Sequence, residues 1–415
     1  ALYQVFLWQI KEYRFDRMLA HLKTRQGKRM VFGLVSLVKW GLLAGYFVGL
    51  QIFWPVVFVY ILEAMRDLGG LRGRSWKRPV WTIKSLAILG CSGFLGAIGF
   101  LGFLGNLSDL GIKILLFDKA LAPGIVFLIL ILSIPTKIQR KMIIEQAKTI
   151  IFKHPDLITI GITGSYGKTS TKEFLSQILS SKFKVLKTEG SQNTEIGVAQ
   201  TIVERLKDQE IFVCEMGAYK IGEIRQICQI CQPKIGIITG INEQHLDLFG
   251  SLKKTIEAKY ELIEALPKNG LAVFNGNNKY CLEMAEKARM IGEIEEIMVI
   301  GEDIKAEEIK VFKDKLEFKV FKGLKFQKMT AKLLGKQNIE NLLMAVVVAD
   351  YLGMNPEEIA KAVEKLEAPE KTMRKVSGGQ GGLGGLGVLV DDSFNTNPDG
   401  VLAALEYMKT YSGKK

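Results

Sequence analysis

The sequence predicts an α/β fold in which a mainly parallel sheet carries a phosphate-binding loop, preceded by an all-α apolar region. Three observations predict it. A β-branched run at 157–162 breaks into a glycine-rich turn and a Lys-Thr pair. Strand and helix patterns alternate after Lys153. The positive excess is confined to the first 150 residues, among hydrophobic stretches. A chain of 415 residues has room for two or three domains.

The formal charge of +13 would suggest a nucleic-acid binder if it were spread along the chain. It is not: residues 1–150 hold 20 Lys/Arg against 7 Asp/Glu, and the remainder holds 36 against 36. Basic residues flanking apolar segments face anionic lipid and set topology, so membrane lipid is the expected partner and nucleic acid is not.

Residues 2–22 mix aromatics with charge (Trp8, Lys11, Tyr13, Arg14, Arg17), the composition of an interfacial helix or of the exit of a membrane helix. Residues 31–65 are interrupted only by Lys39 and Glu63. One helix of that length would run roughly 52 Å, well beyond a ~30 Å hydrocarbon core, so two helices turning near 45–51 are expected. Residues 80–104 and 112–134 are further apolar segments, the second carrying Asp118 and Lys119, two charges near a helix end that are expected at the membrane interface, with an intramembrane functional pair as the alternative. Placing the basic stretches 23–29, 66–78 and 137–148 in the cytoplasm gives four transmembrane helices at 31–48, 50–65, 80–104 and 112–134. Residues 1–150 are thus expected to form a multi-pass membrane region, with the remainder cytoplasmic.

The next domain is expected over 151–371. Its first strand runs into LITIGITGSYGKTST, residues 157–171. Gly161, Gly164 and Gly167 are expected to turn backbone N–H groups toward an anion, and a helix starting at Lys168 adds its partial positive charge. In such a loop Lys168 reaches the β/γ-phosphates and the Thr169 hydroxyl ligates Mg2+, with Ser165, Tyr166 and Ser170 lining the rest. The spacing departs from G-x-x-x-x-G-K-[ST], because Ile162 stands where the first glycine would be. Further strands are expected at 184–187, 211–215, 235–241 and 271–275, with helices between them. Charged and apolar residues alternate over 307–332, predicting a small antiparallel addition, and helices resume at 336–352 and 356–366. A glycine run, 378–387, reads as a mobile loop and a domain boundary before a strand at 388–390 that ends in Asp391-Asp392.

Open α/β sheets place ligands at strand ends, and three polar groups fall there. Glu215 ends IFVCE, His245 follows IGIITGI within NEQHLDLFGS, and Lys259 lies one helix later in EAKYELIEALP. Singly, each has a bland alternative as a surface or solvated residue; their order after the loop favours a site. Cys228 and Cys231 form a C-x-x-C with neither a second pair nor a nearby histidine, and read as reduced thiols in a helix.

Seven stretches, GITGSYGKTST, SQNTEIGV, CEMGAYKIGEI, NEQHLDLFGS, AKYELIEALP, LLGKQNIENLLMA and VDDSFNTNP, occur in the order and spacing of the Mur ligase family, which the chain resembles over about 155–415. The last looks most like the branch that adds D-alanyl-D-alanine to UDP-N-acetylmuramoyl tripeptide in bacterial peptidoglycan synthesis. The resemblance implies an amide ligase in which ATP phosphorylates a carboxylate and an amine attacks the acyl phosphate. It places Lys168 on the phosphates and Thr169 with Glu215 on one Mg2+. A second Mg2+ falls to His245 and a Lys259 carbamylated by CO2. Asn193 matches a residue near the γ-phosphate, and Asn338 and Asn341 match an adenine-contacting pair, with Gln337 replacing a frequent histidine. Arg374 and Asp392 match residues that close on the nucleotide, and Asn395 and Asn397 share that motif. Residues 372–415 would be the start of a Rossmann-like C-terminal domain.

Two departures accompany the resemblance. Apolar segments stand where the family holds its UDP-sugar, which leaves a lipid-linked acceptor as an alternative. The last domain stops after about one strand and helix, and the chain, which opens at Ala1 and stops at Lys415 within a helical pattern, reads as a fragment expected to be inactive alone. A folylpolyglutamate-type ligation of another carboxylate is a second reading. A P-loop ATPase driving transport is a third, opposed by the lack of a Walker B run of four apolar residues ending in Asp. A non-catalytic membrane scaffold would leave Lys168, Glu215, His245 and Lys259 together without a reason.

Overall fold

The computed structural model describes residues 6–9, 18, 21–22, 27–28, 32–72, 82, 85–90, 110–190, 192–242, 251–323, 325–370, 372–376, 389–393 and 398–411. It divides into two compact units, Ala1–Gln139 and Arg140–Lys415.

In the first unit, α1 (Leu34–Phe47) and α2 (Phe53–Arg72) form the expected hairpin. Gly49 takes a positive φ of 87°, and Gly49 N–H and Leu50 N–H donate to Tyr46 O and Gly45 O, both at 3.0 Å. That paired closure ends α1 and reverses the chain. With 14 residues α1 is about 21 Å long, short of a ~30 Å core, so the crossing expected at 31–48 is not met by this helix alone. Most of 80–104 lies outside the described residues. The segment expected at 112–134 does not stop there: α3 (Leu110–Phe152) continues through Pro123 and Pro135, and among the described residues it is the one helix long and apolar enough to cross a membrane. Asp118 and Lys119 turn to different partners. Consecutive helical residues point about 100° apart, and Lys39 Nζ instead meets Glu63 Oε2 at 2.6 Å and Asp118 Oδ2 at 3.3 Å, while Lys119 faces Ser36.

The basic stretch 137–148 is helix for a reason present in its spacing. Ile143, Ile144, Ala147, Ile150 and Ile151 recur at helical period and pack into the core of the second unit. The division between the units accordingly lies before residue 150, where the composition changes.

From there the chain alternates through β1 (Ile158–Thr163), α4 (Lys168–Leu179), β2 (Val185–Lys187), α5 (Glu195–Arg205), β3 (Ile211–Glu215), α6 (Glu223–Cys231), β4 (Ile235–Ile238), α7 (Leu252–Glu264), β5 (Leu271–Asn275), α8 (Lys279–Ile291) and β6 (Glu296–Ile300). These strands are parallel. An antiparallel meander of β7 (Ile304–Val311), β8 (Leu316–Lys322) and β9 (Lys325–Ala331) extends the sheet, as the 307–332 pattern predicted. The strand order is β2-β3-β1-β4-β5-β6-β7-β8-β9. Then follow α9 (Asn338–Tyr351), α10 (Pro356–Glu364), the separate antiparallel pair β10 (Arg374–Val376) and β11 (Leu389–Asp391), and α11 (Pro398–Met408). Strands β6 and β10 were not anticipated, and the glycine run lies outside the described residues. Cys228 and Cys231 lie in helix α6 as expected, and both are buried, their thiols pushed up by that burial.

Two apolar layers hold the sheet. Ile160 and Ile162 of β1 and Val213 of β3 face Phe174, Leu175 and Ile178 of α4 together with α9 and α10. Phe212, Cys214 and Phe274 face α5 to α8 and the end of α3. Period-2 alternation with both faces covered is what a parallel sheet requires. Phe174 is fully buried at the centre of the first layer. Phe174→Ala should therefore cost about 3–5 kcal/mol of stability, read by urea denaturation.

Candidate active site

The parallel strands all end on one edge, and the turn between β1 and α4 sits there because β1 is central in the sheet. Gly167, with φ 79°, precedes α4, and no side chain caps that helix, so its first-turn N–H groups face the loop mouth. A Cβ on Gly164 would lie 2.0 Å from Thr239 Oγ1, and one on Gly167 would lie 2.5 Å from Asn341 Oδ1. The loop is thus a cradle that only glycine backbone fits. Gly161 does a different job from the one expected of it: it sits inside β1, where a Cβ would meet Leu262 and Met216, so it serves packing.

Two amines converge on one carbonyl. Lys168 Nζ donates to Gly164 O at 2.8 Å, and Lys259 Nζ, from α7, donates to the same oxygen at 2.9 Å. Burial pushes the Lys168 amine down from the ordinary lysine value, against the pull of Glu215. Burial, and then Lys168 itself, hold Lys259 well below that value. The neighbouring Cys281 thiol is pushed up to about 12 by burial. Because the folded chain favours neutral Lys259, the unfolded chain binds the extra proton below the ordinary lysine value, and stability rises with pH across that window. Lys259→Met should flatten this rise in urea midpoints measured from neutral pH up to the ordinary lysine value; a slope equal to the parent's would contradict it.

Glu215, 2 % exposed at the end of β3, is held from several sides. Thr169 Oγ1 donates to its Oε2 at 3.1 Å, Asn193 Nδ2 donates to its Oε1 at 3.1 Å, and Lys172 Nζ lies 3.2 Å from Oε2. Its own N–H donates to Thr188 Oγ1 at 3.0 Å. A carboxylate beside a hydroxyl at the loop mouth is an oxygen donor set suited to a hard divalent cation.

The neighbouring strand ends are tied in. Thr239, just after β4, donates through Oγ1 to Tyr166 O, and Ser165 N–H donates to Gly240 O at 2.6 Å, which bends the chain away from the strand expected to run to 241. Asn275 Nδ2 bridges Thr239 O at 2.9 Å and Glu340 Oε2 at 2.8 Å, and Asn277 holds the other Glu340 oxygen at 3.0 Å. Asn341 accepts from Thr171 Oγ1 at 3.3 Å, whereas Asn338 turns inward to Leu334 O at 2.8 Å. A cavity of about 740 Å³ borders Asn277, Lys336, Gln337, Glu340 and Tyr407. The buried Gln337 Oε1 has no hydrogen-bond partner among the described residues.

The loop, Thr169, Asn193, Glu215, Lys259 and Asn341 therefore come together, with Ser170 half-buried in the first turn of α4. His245 falls in 243–250, and Asn395 and Asn397 in 394–397, all outside the described residues. Arg374 and Asp392 lie with the small sheet. Arg374 is in register with Asp391, and Asp392 Oδ1 accepts from Met373 N–H at 3.1 Å, its carboxyl pushed up by burial. Sequence reading missed Lys172, Thr188, Thr239, Asn275 and Glu340.

A family model described as the Mur ligase middle domain matches residues 162–349, the span that contains every part of this cluster. Residues 162–349 are therefore similar to a Mur ligase middle domain. The UDP-N-acetylmuramoyl-tripeptide--D-alanyl-D-alanine ligase of Bacillus subtilis is 28% identical over 259 residues, covering 61% of this chain and 53% of that protein. The enzyme of the same name from Synechocystis is 30% identical over 256 residues, covering 62% and 53%. A crystal structure of MurF from Acinetobacter baumannii aligns with a TM-score of 0.60 at 28% identity, covering 66% of this chain and 59% of that one. The chain spans about half the length of the curated relatives it matches. Within the matched span, the loop, Glu215 and Lys259 occupy one strand-end edge.

Proposed function

We propose that the full-length protein is an ATP- and Mg2+-dependent amide ligase that joins D-alanyl-D-alanine to UDP-N-acetylmuramoyl-tripeptide in peptidoglycan precursor synthesis. The observation that carries this reading is the convergence of Lys168, Thr169, Asn193, Glu215 and Lys259 at the mouth of a glycine cradle. Relatives named for that reaction support the substrate pair.

The nucleotide phosphates would lie on the N–H groups of Gly164–Ser170, with Lys168 leaving the Gly164 carbonyl to meet them. Thr169 and Glu215 fit Mg2+, which when bound neutralises charge on the transferring phosphoryl group. Asn193 would orient Glu215 and the terminal phosphate. The cavity beside Asn277, Gln337 and Glu340 suits the base, and the unpartnered Gln337 oxygen would accept from an exocyclic amine. Asn341, Arg374 and Asp392 are assigned to the nucleotide side, Asn338 to shaping it through Leu334.

Lys259 is further proposed to bear a carbamate and, with His245, to hold a second Mg2+. A neutral amine is the form that attacks CO2: its lone pair forms the N–C bond and a proton leaves, which turns a cation into an oxygen donor. The depressed lysine supplies that neutral form. Intact mass in bicarbonate should show one added CO2 that Lys259→Met lacks; a parent at its bare sequence mass would remove the carbamate.

Residues 1–150 are proposed to anchor the ligase to the bacterial inner membrane, with 151–371 as the cytoplasmic ATP-binding domain and 372–415 as the start of the C-terminal domain. Exposed Leu34, Trp40, Phe47, Trp54, Phe58 and Phe127 on α1, α2 and α3 support a lipid-facing surface. Flotation of the protein with vesicles tests the anchor.

The function is tested by phosphate release from full-length protein in nanodiscs with ATP, Mg2+ and UDP-N-acetylmuramoyl-tripeptide. Release that requires D-alanyl-D-alanine and accompanies a pentapeptide product is expected. Release indifferent to the dipeptide would remove the assignment.

A further inference from the structure

Lys172 lies one turn beyond Lys168 on α4 and is fully buried, a position at which lysine is rare unless paired. Its amine touches Glu215 Oε2 at 3.2 Å, Gly190 O at 3.0 Å and Glu173 Oε1 at 3.5 Å. Glu173 is in turn paired with Lys187, whose side chain is 30% exposed. Charges of alternating sign therefore run from Lys187 at the rim to Glu215 at the loop mouth. The oxygen that Lys172 holds is the one that accepts from Thr169, the proposed metal-facing oxygen.

We infer that Lys172 is the built-in counter-cation of the Glu215 site: it keeps the carboxylate aimed when no metal is present and lowers the site's affinity for a free divalent cation. A fixed ammonium in contact with a carboxylate repels a divalent ion sharing that carboxylate, and burial keeps the repulsion from being screened. Nucleotide phosphates offset the ammonium, so metal enters with the nucleotide and not ahead of it. The Gly190 contact gives Lys172 a second hold, on the loop that carries Asn193, so the amine need not leave when metal arrives.

This inference rests on the reading of Glu215 as a metal ligand, and the test separates the two. Mn2+ binding without nucleotide is measured by the electron paramagnetic resonance of the free ion, on the full chain and on Lys172→Met, Lys172→Arg and Glu215→Gln. Lys172→Met is expected to bind Mn2+ at least about tenfold more tightly than the parent, and Lys172→Arg, which keeps the charge, to bind like the parent. Equal or weaker binding by Lys172→Met overturns the inference. If Lys172→Met is unfolded without metal, its thermal midpoint against Mn2+ replaces the isotherm: a rise larger than the parent's supports the inference, an equal or smaller one overturns it. Glu215→Gln binding Mn2+ as the parent does would remove the metal-site reading itself.

Discussion

Lys168→Ala is expected to cut acceptor-dependent phosphate release by at least about 10²-fold, the scale on which single preorganised contacts to developing charge act. The amine is enclosed, is carried on the first residue of α4, and reaches the loop carbonyl that a phosphate would approach. Its removal leaves Lys259 donating to the same carbonyl and strands no charge, so the variant should stay folded. Activity lost with stability kept is therefore the expected pair of results. Release within a few-fold of the parent in a folded variant would show that Lys168 does not bear on the transferred phosphate.

Glu215→Ala should have a large effect on stability. The change strands Lys172, buried with Glu173 and one carbonyl left to it, and takes away the acceptor of both Thr169 and Asn193. Breaking one partner of a buried ion pair costs about 3–5 kcal/mol. Urea denaturation reads the loss directly. Adding Lys172→Met should recover much of it, because the stranded cation is then gone, and the difference measures the coupling. A single variant as stable as the parent would mean that Lys172 finds full compensation elsewhere.

The parts of the fold and site that were legible in the sequence are those whose signal is local. Strand β1, the glycine turn and Lys168-Thr169 are adjacent, so one window contains the whole device. Glu215 was legible because it terminates an apolar strand run. Lys172 was not, since a lysine in a helix normally reads as solvated. A signal existed all the same, because Lys172 shares its helix face with Leu175 and Leu179, both fully buried. Thr239 and Asn275 gain meaning only once β4 and β5 stand beside β1, and no window of sequence contains that adjacency. The continuation of α3 past 134 was hidden by composition: the lysines and arginines marked the end of an apolar segment while the isoleucines between them kept helical period.

The place of β1 between β3 and β4 bears on how the chain is made. Its partners arrive late, Ile162 pairing with Glu215 and Thr163 with Ile238. A ribosome adding about 5–20 residues per second leaves this apolar strand with both edges open for several seconds. Open edges are templates for wrong pairing, and a bound nucleotide cannot protect them while Glu215 and Thr239 are still unmade. The loop is synthesised early, yet it can hold a nucleotide only after the fourth strand has been added, so the nucleotide cannot stabilise newly made chain in that interval.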